Sequence, residues 1–206
     1  MAYVLGFFAA DGYITVNRRG GQFWCIQITD RELLEKIKKT INSKHKISVR
    51  LATGNRSCSY RLQIGSIEMC DDLRRLGFRE NKTKSLAIPK VPEPYLSDFV
   101  RGYFDGDGNV WMGRVHKKGK VVNFALLTMF TSCSVTFLRS LHERLISNGI
   151  EGGCIYSSKK NYSRLQFSIR DSLKLYDFMY NSHILDNSLF LERKKSVFEK
   201  YKSLRL

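Results

Sequence analysis

The chain contains one nine-residue pattern twice, and this repeat constrains its fold more than any other feature. Val4–Gly12 and Val100–Gly108 both have glycine at the third position and end in Asp-Gly, and Gly6 and Gly102 lie 96 residues apart. After each copy the sequence predicts the same elements in the same order: a basic hairpin, a helix, a second hairpin and a further helix. The chain is therefore expected to fold as an αββαββα unit used twice, with pseudo-twofold symmetry.

A proline-rich segment divides the two repeats. Residues 89–97 contain all three prolines of the chain, and proline breaks helices and favours extended linkers. The predicted organisation is an N-terminal repeat at 1–88, a linker at 89–97 and a C-terminal repeat at 98–206. The fold class is α+β.

The two motifs predict helices that pack against each other. Gly6 and Ala10 lie one helical turn apart, as do Gly102 and Gly106, so each helix has a stripe of small residues. Such stripes allow two helix backbones to approach closely. The glycine that ends each motif is expected in the left-handed conformation that often terminates a helix.

Asp11 and Asp107 then fall in the last turn of the two packed helices. A carboxylate is unfavourable at the negative end of the helix dipole, and two neighbouring carboxylates repel each other. A divalent cation bound between them removes both penalties, and oxygen ligands with open coordination positions suit Mg²⁺. The pattern predicts a Mg²⁺ site for phosphodiester hydrolysis. Asp105 has Ala9 as its counterpart and is interpreted as a polar helix residue.

The positive charge of the chain is concentrated in four predicted hairpins. Segments 13–29, 43–64, 109–131 and 151–169 carry a net +13 of the total +16. Polar and apolar residues alternate in them, so one sheet face packs on a core and the other, basic face is expected to contact double-stranded DNA. The candidate DNA-binding residues are Asn17, Arg18, Arg19, Gln22, Trp24, Gln27, Lys46, Arg50, Arg56, Arg61, Gln63, Trp111, Arg114, Lys117, Lys118, Lys120, Lys159, Lys160, Tyr162, Arg164 and Gln166.

Other classes of protein are excluded. The chain has no run of about 18 apolar residues, so no membrane-spanning helix is predicted, and it does not begin like a signal peptide. Its five cysteines are scattered without a Cys-x-x-Cys pair, which argues against a disulfide framework or a zinc site. We expect a reducing intracellular compartment, either the host cytoplasm or an organelle matrix, and a phage or an intron is a candidate source of the gene.

With these motifs the chain resembles the single-chain, two-motif LAGLIDADG homing endonucleases over essentially its whole length. Phe99–Gly108 is very close to the family's usual second motif, whereas in the first motif Ala9 replaces the first acid and Phe7 and Phe8 replace aliphatic residues. The resemblance implies a central helix pair and two antiparallel sheets that form a saddle over DNA. It also implies a monomeric enzyme that makes a staggered cut in a long asymmetric site and leaves 3′ overhangs.

The resemblance further implies the metal and the catalytic residues. The last acid of each motif binds Mg²⁺, with Mn²⁺ expected to substitute and Ca²⁺ expected to support binding without efficient cleavage. A basic residue near each scissile phosphate falls on Lys82, with Lys84 as second choice, and on Lys194. For these lysines, phosphate contact or plain solvation stays open as an alternative.

A polar residue that organises water in the family falls on Asp30 in the first half and on Ser132 in the second. For Asp30, a helix N-cap with a capping box is an equal alternative. Different residues at the two positions imply that the two strands are cut at unequal rates.

Three alternatives to a free-standing homing endonuclease remain open. They are a maturase-like protein that binds intron RNA and assists splicing, a DNA-binding regulator that has lost cleavage, and an intein endonuclease domain. Loss of a motif acid would favour the first two, and both acids are present. No splicing-domain sequence flanks the repeats, which counts against the third.

Overall fold

The computed structural model describes residues 1–54, 57–116, 122–158, 161–181 and 189–204, with His116 and Val122 described by their backbone alone. The first half contains α1 (Ala2–Asp11), β1 (Gly12–Val16), β2 (Gln22–Ile28), α2 (Arg31–Thr40), β3 (Ile47–Arg50), β4 (Ser59–Gly65) and α3 (Ile67–Arg75). A short 3₁₀ helix at Glu93–Tyr95 leads into the second half. That half contains α4 (Leu96–Asp107), β5 (Gly108–His116), β6 (Val122–Ser132), α5 (Val135–Ser147), β7 (Cys154–Ser157), β8 (Ser163–Phe167), α6 (Ile169–Tyr180) and the additional α7 (Glu192–Ser203). The predicted αββαββα repeat is confirmed.

Each half has one four-stranded antiparallel sheet, and the strand orders correspond: β1-β2-β4-β3 and β5-β6-β8-β7. The first hairpin of each half begins at a motif glycine, where Gly12 pairs with Ile26 and Gly108 pairs with Phe130. The β5–β6 hairpin is longer than the β1–β2 hairpin, because β5 and β6 have 9 and 11 residues whereas β1 and β2 have 5 and 7. It therefore extends further from the motif helices.

Within the described part of the chain, helices pack on one face of each sheet. One continuous apolar core runs through both halves, and α2 and α3 pack on the first sheet as α5 and α6 pack on the second. The opposite face carries the alternate residues of each strand. In the part of the chain that the structure describes, no helix has the length and apolar character needed to cross a membrane.

Trp24 belongs to this core, so its assignment as a DNA-binding residue was wrong. Its side chain is 3% exposed, and its ring stacks on Phe8 with centroids 5.7 Å apart. Strand alternation places Trp24 on the helix side together with Ile26, which is also buried. An apolar ring on that side gains more from packing than from solvent exposure.

The glycines that end the two motifs are not left-handed, contrary to expectation. Gly12 has φ −85° and ψ 160°, and Gly108 has φ −87° and ψ 161°, so each chain passes directly from helix to strand. A Cβ atom would lie 2.0 Å from the Phe8 ring at Gly12 and 2.3 Å from the Phe104 ring at Gly108. Glycine is required here because an aromatic ring of the preceding turn lies against the backbone.

Candidate functional site

The two motif helices, α1 and α4, pack backbone against backbone at their glycines. A Cβ on Gly6 would lie 2.0 Å from the carbonyl oxygen of Phe99, and a Cβ on Gly102 would lie 2.0 Å from the carbonyl oxygen of Tyr3. The two contacts are reciprocal, as pseudo-twofold symmetry requires. The close packing predicted from the small-residue stripes is therefore present.

This packing brings the ends of the two helices together, and each ends in a motif acid. Asp11 is the last residue of α1 and Asp107 is the last residue of α4. A Cβ on Gly106 would lie 2.3 Å from the Cβ of Ala10 and 3.1 Å from Oδ2 of Asp11. The Asp11 carboxylate thus lies directly against the last turn of the opposite helix.

The acids share an electrostatic environment that disfavours two negative charges. Desolvation and the negative charge of Asp107 raise the pKa of Asp11 to about 6, against the opposing effect of Lys194 and Lys82. Desolvation also raises the pKa of Asp107, again opposed by Lys82 and Lys194. A bound cation would offset the repulsion between the two carboxylates.

Lys82 reaches the end of α1. Its side chain is buried, and Nζ donates hydrogen bonds to the carbonyl oxygens of Ala9 at 2.8 Å and Ala10 at 3.3 Å. Carbonyls in the last turn of a helix lack helical partners, so an ammonium group is well placed there. Desolvation lowers the pKa of Lys82, opposed first by the charge of Asp107.

Lys194 occupies the corresponding place at the end of α4. It is buried, and Nζ lies within hydrogen-bond distance of four backbone carbonyl oxygens: Phe104 (2.6 Å), Asp105 (2.8 Å), Gly106 (3.5 Å) and Gly108 (2.6 Å). Burial lowers its pKa to about 8, opposed first by the charge of Asp105. The structure thus brings both sequence-predicted lysines to the motif acids.

Each acid is coupled more strongly to the lysine of the other repeat. The positive charge with the largest effect on the pKa of Asp11 is Lys194, whereas for Asp107 it is Lys82. Lys82 and Asp107 also line the same cavity, and the pseudo-twofold symmetry makes Lys194 and Asp11 the corresponding pair. These two pairs are called the composite sites below. Each site draws on both halves of the chain.

Ser132 also reaches this region. A cavity of about 250 Å³ is lined by Lys82, Asp107 and Ser132 together with Tyr103 and Cys133. The Ser132 side chain is buried, and its Oγ accepts a hydrogen bond from the Ser134 N–H at 3.1 Å.

Tyr103 was missed by the sequence analysis. Its hydroxyl donates to the carbonyl oxygen of Thr131 at 2.8 Å, which ties α4 to the end of β6 beside the cavity. The available signal was its position one helical turn before Asp107, on the same helix face.

Asp30 serves as a helix cap. Its Oδ1 accepts a hydrogen bond from the Leu33 N–H at 2.9 Å at the start of α2. The expected capping box is absent, because the third helical residue is Leu33 and not Glu32. Glu32 pairs instead with Lys36 at 2.8 Å. A role for Asp30 in catalysis has no support in these contacts.

Asp105 is a buried bridge between helices, which corrects its interpretation as a simple polar helix residue. It is 2% exposed, and Oδ2 accepts hydrogen bonds from the Tyr3 hydroxyl at 2.7 Å and the Leu191 N–H at 2.9 Å. Desolvation raises its pKa to about 6, and no hydrogen bond to Oδ1 is found among the described residues. Its partners lie 102 and 86 residues away, so no local pattern could reveal them.

The predicted DNA-binding residues are distributed over both sheets and their turns. Gln27, Arg61, Gln63, Trp111, Arg164 and Gln166 lie on the outer faces, whereas Arg114 lies on the helix side, over the Phe124 ring. The exposed ones within the described residues are Asn17, Arg18, Arg19, Lys46, Arg50, Trp111, Arg114 and Arg164, and the half-buried ones are Gln22, Gln27, Arg61, Gln63, Tyr162 and Gln166. Arg56, Lys117, Lys118, Lys120, Lys159 and Lys160 lie outside the described residues.

Two of these side chains have partners in the protein that change their interpretation. Gln22 lies on the helix side of β2, where its Oε1 accepts a hydrogen bond from Arg74 of α3 at 2.6 Å, so its assignment as a DNA-binding residue was wrong. Asn17 closes the β1–β2 turn, with Oδ1 accepting from the N–H groups of Arg19 (3.0 Å) and Gly21 (2.8 Å). The side-chain oxygen of Asn17 therefore already accepts two hydrogen bonds within the turn.

The site fits a magnesium ion by its chemistry. In residues 1–54, 57–116, 122–158, 161–181 and 189–204, no group of three or more His, Cys, Asp or Glu side chains could hold a metal. Two converging carboxylates, at least one with a pKa raised by its neighbour, are nevertheless sufficient for Mg²⁺, which retains several waters and binds substrate phosphate oxygens. Asp11 and Asp107 are the residues that would hold it.

Comparison with known proteins confirms the predicted fold and family resemblance. Residues 1–77 match the family model of the LAGLIDADG-like domain. The DNA-bound LAGLIDADG meganuclease I-AabMI superposes with a TM-score of 0.63 at 17% identity, covering 100% of this chain and 91% of that chain. The homing endonuclease I-LtrWI, bound to its target DNA, gives 0.59 at 16% identity, covering 98% and 90%.

One relative by sequence is a much longer protein. The probable translation initiation factor IF-2 of Thermococcus kodakarensis is 30% identical over 194 residues, which cover 86% of this chain. The chain spans only 15% of the length of that protein.

Proposed function

Since the chain carries a LAGLIDADG-like domain and has the fold of the LAGLIDADG homing endonucleases, we propose that it is a site-specific DNA endonuclease. It acts as a monomer and hydrolyses both strands of a long asymmetric target with Mg²⁺, leaving a staggered cut. The observation that carries the proposal is the convergence of two acids and two buried lysines at adjoining helix ends.

The residues of the site have distinct roles in this reaction. Asp11 and Asp107 hold Mg²⁺, which when bound polarises the phosphoryl oxygen and lowers the pKa of a water. Lys82 and Lys194 hold a positive charge at Nζ beside the two composite sites and stabilise the negative charge that develops on the phosphate. Their backbone carbonyl partners fix the ammonium groups in advance of DNA binding.

The presence of both motif acids and both buried lysines favours cleavage over the two non-cleaving alternatives. A maturase-like RNA-binding protein or a DNA-binding regulator does not need paired acids, and here both acids are accompanied by both lysines. The match to 15% of a translation factor favours an element inserted in a larger protein, so an intein endonuclease domain is the setting we propose. The proposed location is the reducing interior of the host cell.

Selection of cleaved sites from a randomised DNA library tests the function. We expect one long asymmetric site to be cut on both strands with Mg²⁺ or Mn²⁺ and only bound with Ca²⁺. Affinity should fall by about 10³-fold between 50 and 200 mM salt, because the basic sheets displace counterions from many phosphates. Tight, salt-sensitive DNA binding without cleavage would support the regulator, and binding to intron RNA alone would support the maturase.

Replacing one of the two lysines is expected to slow cleavage of one DNA strand and not of the other. Because Lys82 and Lys194 belong to different composite sites, Lys82→Met and Lys194→Met should each slow cleavage of one strand by about 10²-fold. Nicked plasmid should accumulate, with the opposite strand nicked in the two variants. The measurement is strand-resolved cleavage of an end-labelled target.

Lys84→Met is the matched control, since Lys84 is exposed and two residues from Lys82. It should cut both strands at the rate of the unmodified protein. If Lys82→Met and Lys194→Met slow both strands equally, the assignment of one lysine to each strand is wrong.

A further inference from the structure

The outer face of the second sheet carries an apolar strip. Strand alternation places Trp111, Val115, Ala125 and Leu127 on the face that points away from the covering helices. Trp111 is 44% exposed and Val115 is 37% exposed, and the other two are half-buried. These four residues are called the apolar strip below.

Gly113 leaves room for the Trp111 ring within the strip. Gly113 lies between Trp111 and Val115 on the same face and pairs with Ala125. A Cβ on Gly113 would lie 2.0 Å from Cζ2 of the Trp111 indole, so the ring lies along the strand over this glycine. Contiguous apolar side chains that remain exposed beside polar ones mark a contact surface.

The first sheet presents a different surface. Its outer face carries Gln27, Arg61 and Gln63, and the apolar Cys25 on that face is fully buried. Phe23 is half-buried near the strand end. The strip lies partly on the additional length of β5 and β6, for which the shorter first hairpin has no equivalent among its described residues.

The position of the strip along the target follows from strand geometry. Trp111 and Val115 lie four and eight residues beyond Asp107, which at about 3.3 Å per residue corresponds to about 13 and 26 Å. B-form DNA rises about 3.4 Å along its axis per base pair, so a strand that follows this axis places the strip over base pairs about four to eight steps from the cleaved centre.

Resting on the proposed function, we infer that the apolar strip reads thymine C5-methyl groups in the major groove. The thymine methyl is the apolar group that distinguishes bases there, whereas Arg and Gln side chains read hydrogen-bonding groups. DNA is the occupant because Arg164 and Gln166 lie on the same face, Gln166 beside Met129 of β6. The half-site under the second sheet is therefore selected for thymines, and the half-site under the first sheet is read by hydrogen bonds.

Substitution of deoxyuridine for thymidine in the selected target tests this inference, because it removes only the methyl group. Binding is measured with Ca²⁺ by fluorescence anisotropy, one position at a time. In one half-site, replacing a contacted thymine four to eight steps from the centre of the target should lower the affinity of the protein about four-fold. The same replacement in the other half-site should lower it less than two-fold.

The variants Trp111→Ala and Leu127→Ala should bind more weakly and lose the sensitivity to deoxyuridine at their own positions. Val49→Ala is the matched control, since Val49 is an exposed aliphatic residue on the first sheet, and its sensitivity should equal that of the unmodified protein. Circular dichroism of both variants checks that each of them is folded.

The outcomes separate the inference from the function on which it rests. Three outcomes would overturn the thymine-reading role of the strip and leave the proposed endonuclease function untouched. They are a selected target with no deoxyuridine effect, equal effects in both half-sites, and effects that are unchanged in both variants. A target without thymines in this region would do the same. Failure to select any DNA site overturns the proposed function and the strip together.

Discussion

Asp11→Asn is expected to reduce double-strand cleavage by about 10³-fold or more while leaving affinity for the target in Ca²⁺ within a few fold. The change removes one of the two carboxylates that can hold the metal, and metal polarisation of a phosphoryl oxygen contributes several kcal/mol to such reactions. Asn has the same shape, so the close packing of Asp11 against Gly106 is retained. Cleavage of the selected site under single-turnover conditions is the measurement.

The same variant should be more stable than the unmodified protein when metal is removed at neutral pH. The folded state raises the pKa of Asp11 from 3.8 to about 6, so the ionised carboxylate destabilises the fold above about pH 6. This penalty disappears as the pH falls from 6 towards 4. The increase in melting temperature should therefore be seen in EDTA at pH 7.5, shrink as the pH falls below about 6 and vanish below about pH 3.8.

Added Mg²⁺ provides the opposite readout, because a bound ion stabilises the folded state. The melting temperature of the unmodified protein should rise with Mg²⁺, and that of Asp11→Asn should not. Glu151→Gln, which removes a charge from an exposed loop, is the control and should behave like the unmodified protein. Cleavage at the normal rate by Asp11→Asn would refute the metal assignment.

The sequence predicted the parts of the molecule that depend on short-range patterns. The duplicated motif, the helix pair and the two acids follow from the spacing of glycine and aspartate within nine residues. Lys82 and Lys194 could be placed only by resemblance to a family, since each bonds to a helix end 72 or more residues away in the chain. No local pattern marks such partners.

Errors arose where packing between elements decides the outcome. Trp24 was assigned to the DNA surface by its residue type, although strand alternation places it on the helix side beside Phe8. The left-handed conformation expected for Gly12 and Gly108 fails because an aromatic ring, and not a helix cap, requires glycine there. In each case the deciding neighbour is a large side chain whose direction is set by tertiary structure.

Gly102→Ala is expected to destabilise the protein by about 3 kcal/mol, although alanine is the better helix former by about 1 kcal/mol. The sign is decided by the new methyl group, which would lie 2.0 Å from the carbonyl oxygen of Tyr3 on the opposite helix. The helices must separate to admit it, and separation removes core contacts along α1 and α4. Urea unfolding followed by circular dichroism measures the loss.

Gly65→Ala is the control, because its Cβ would approach only the Phe23 ring edge, at 3.3 Å. Its free energy of unfolding should change by less than about 1 kcal/mol. A Gly102→Ala variant as stable as this control would show that the helix spacing is wider than described. Because Gly6→Ala and Gly102→Ala are both relieved by the same helix separation, the double variant should be less destabilised than the sum of the single ones.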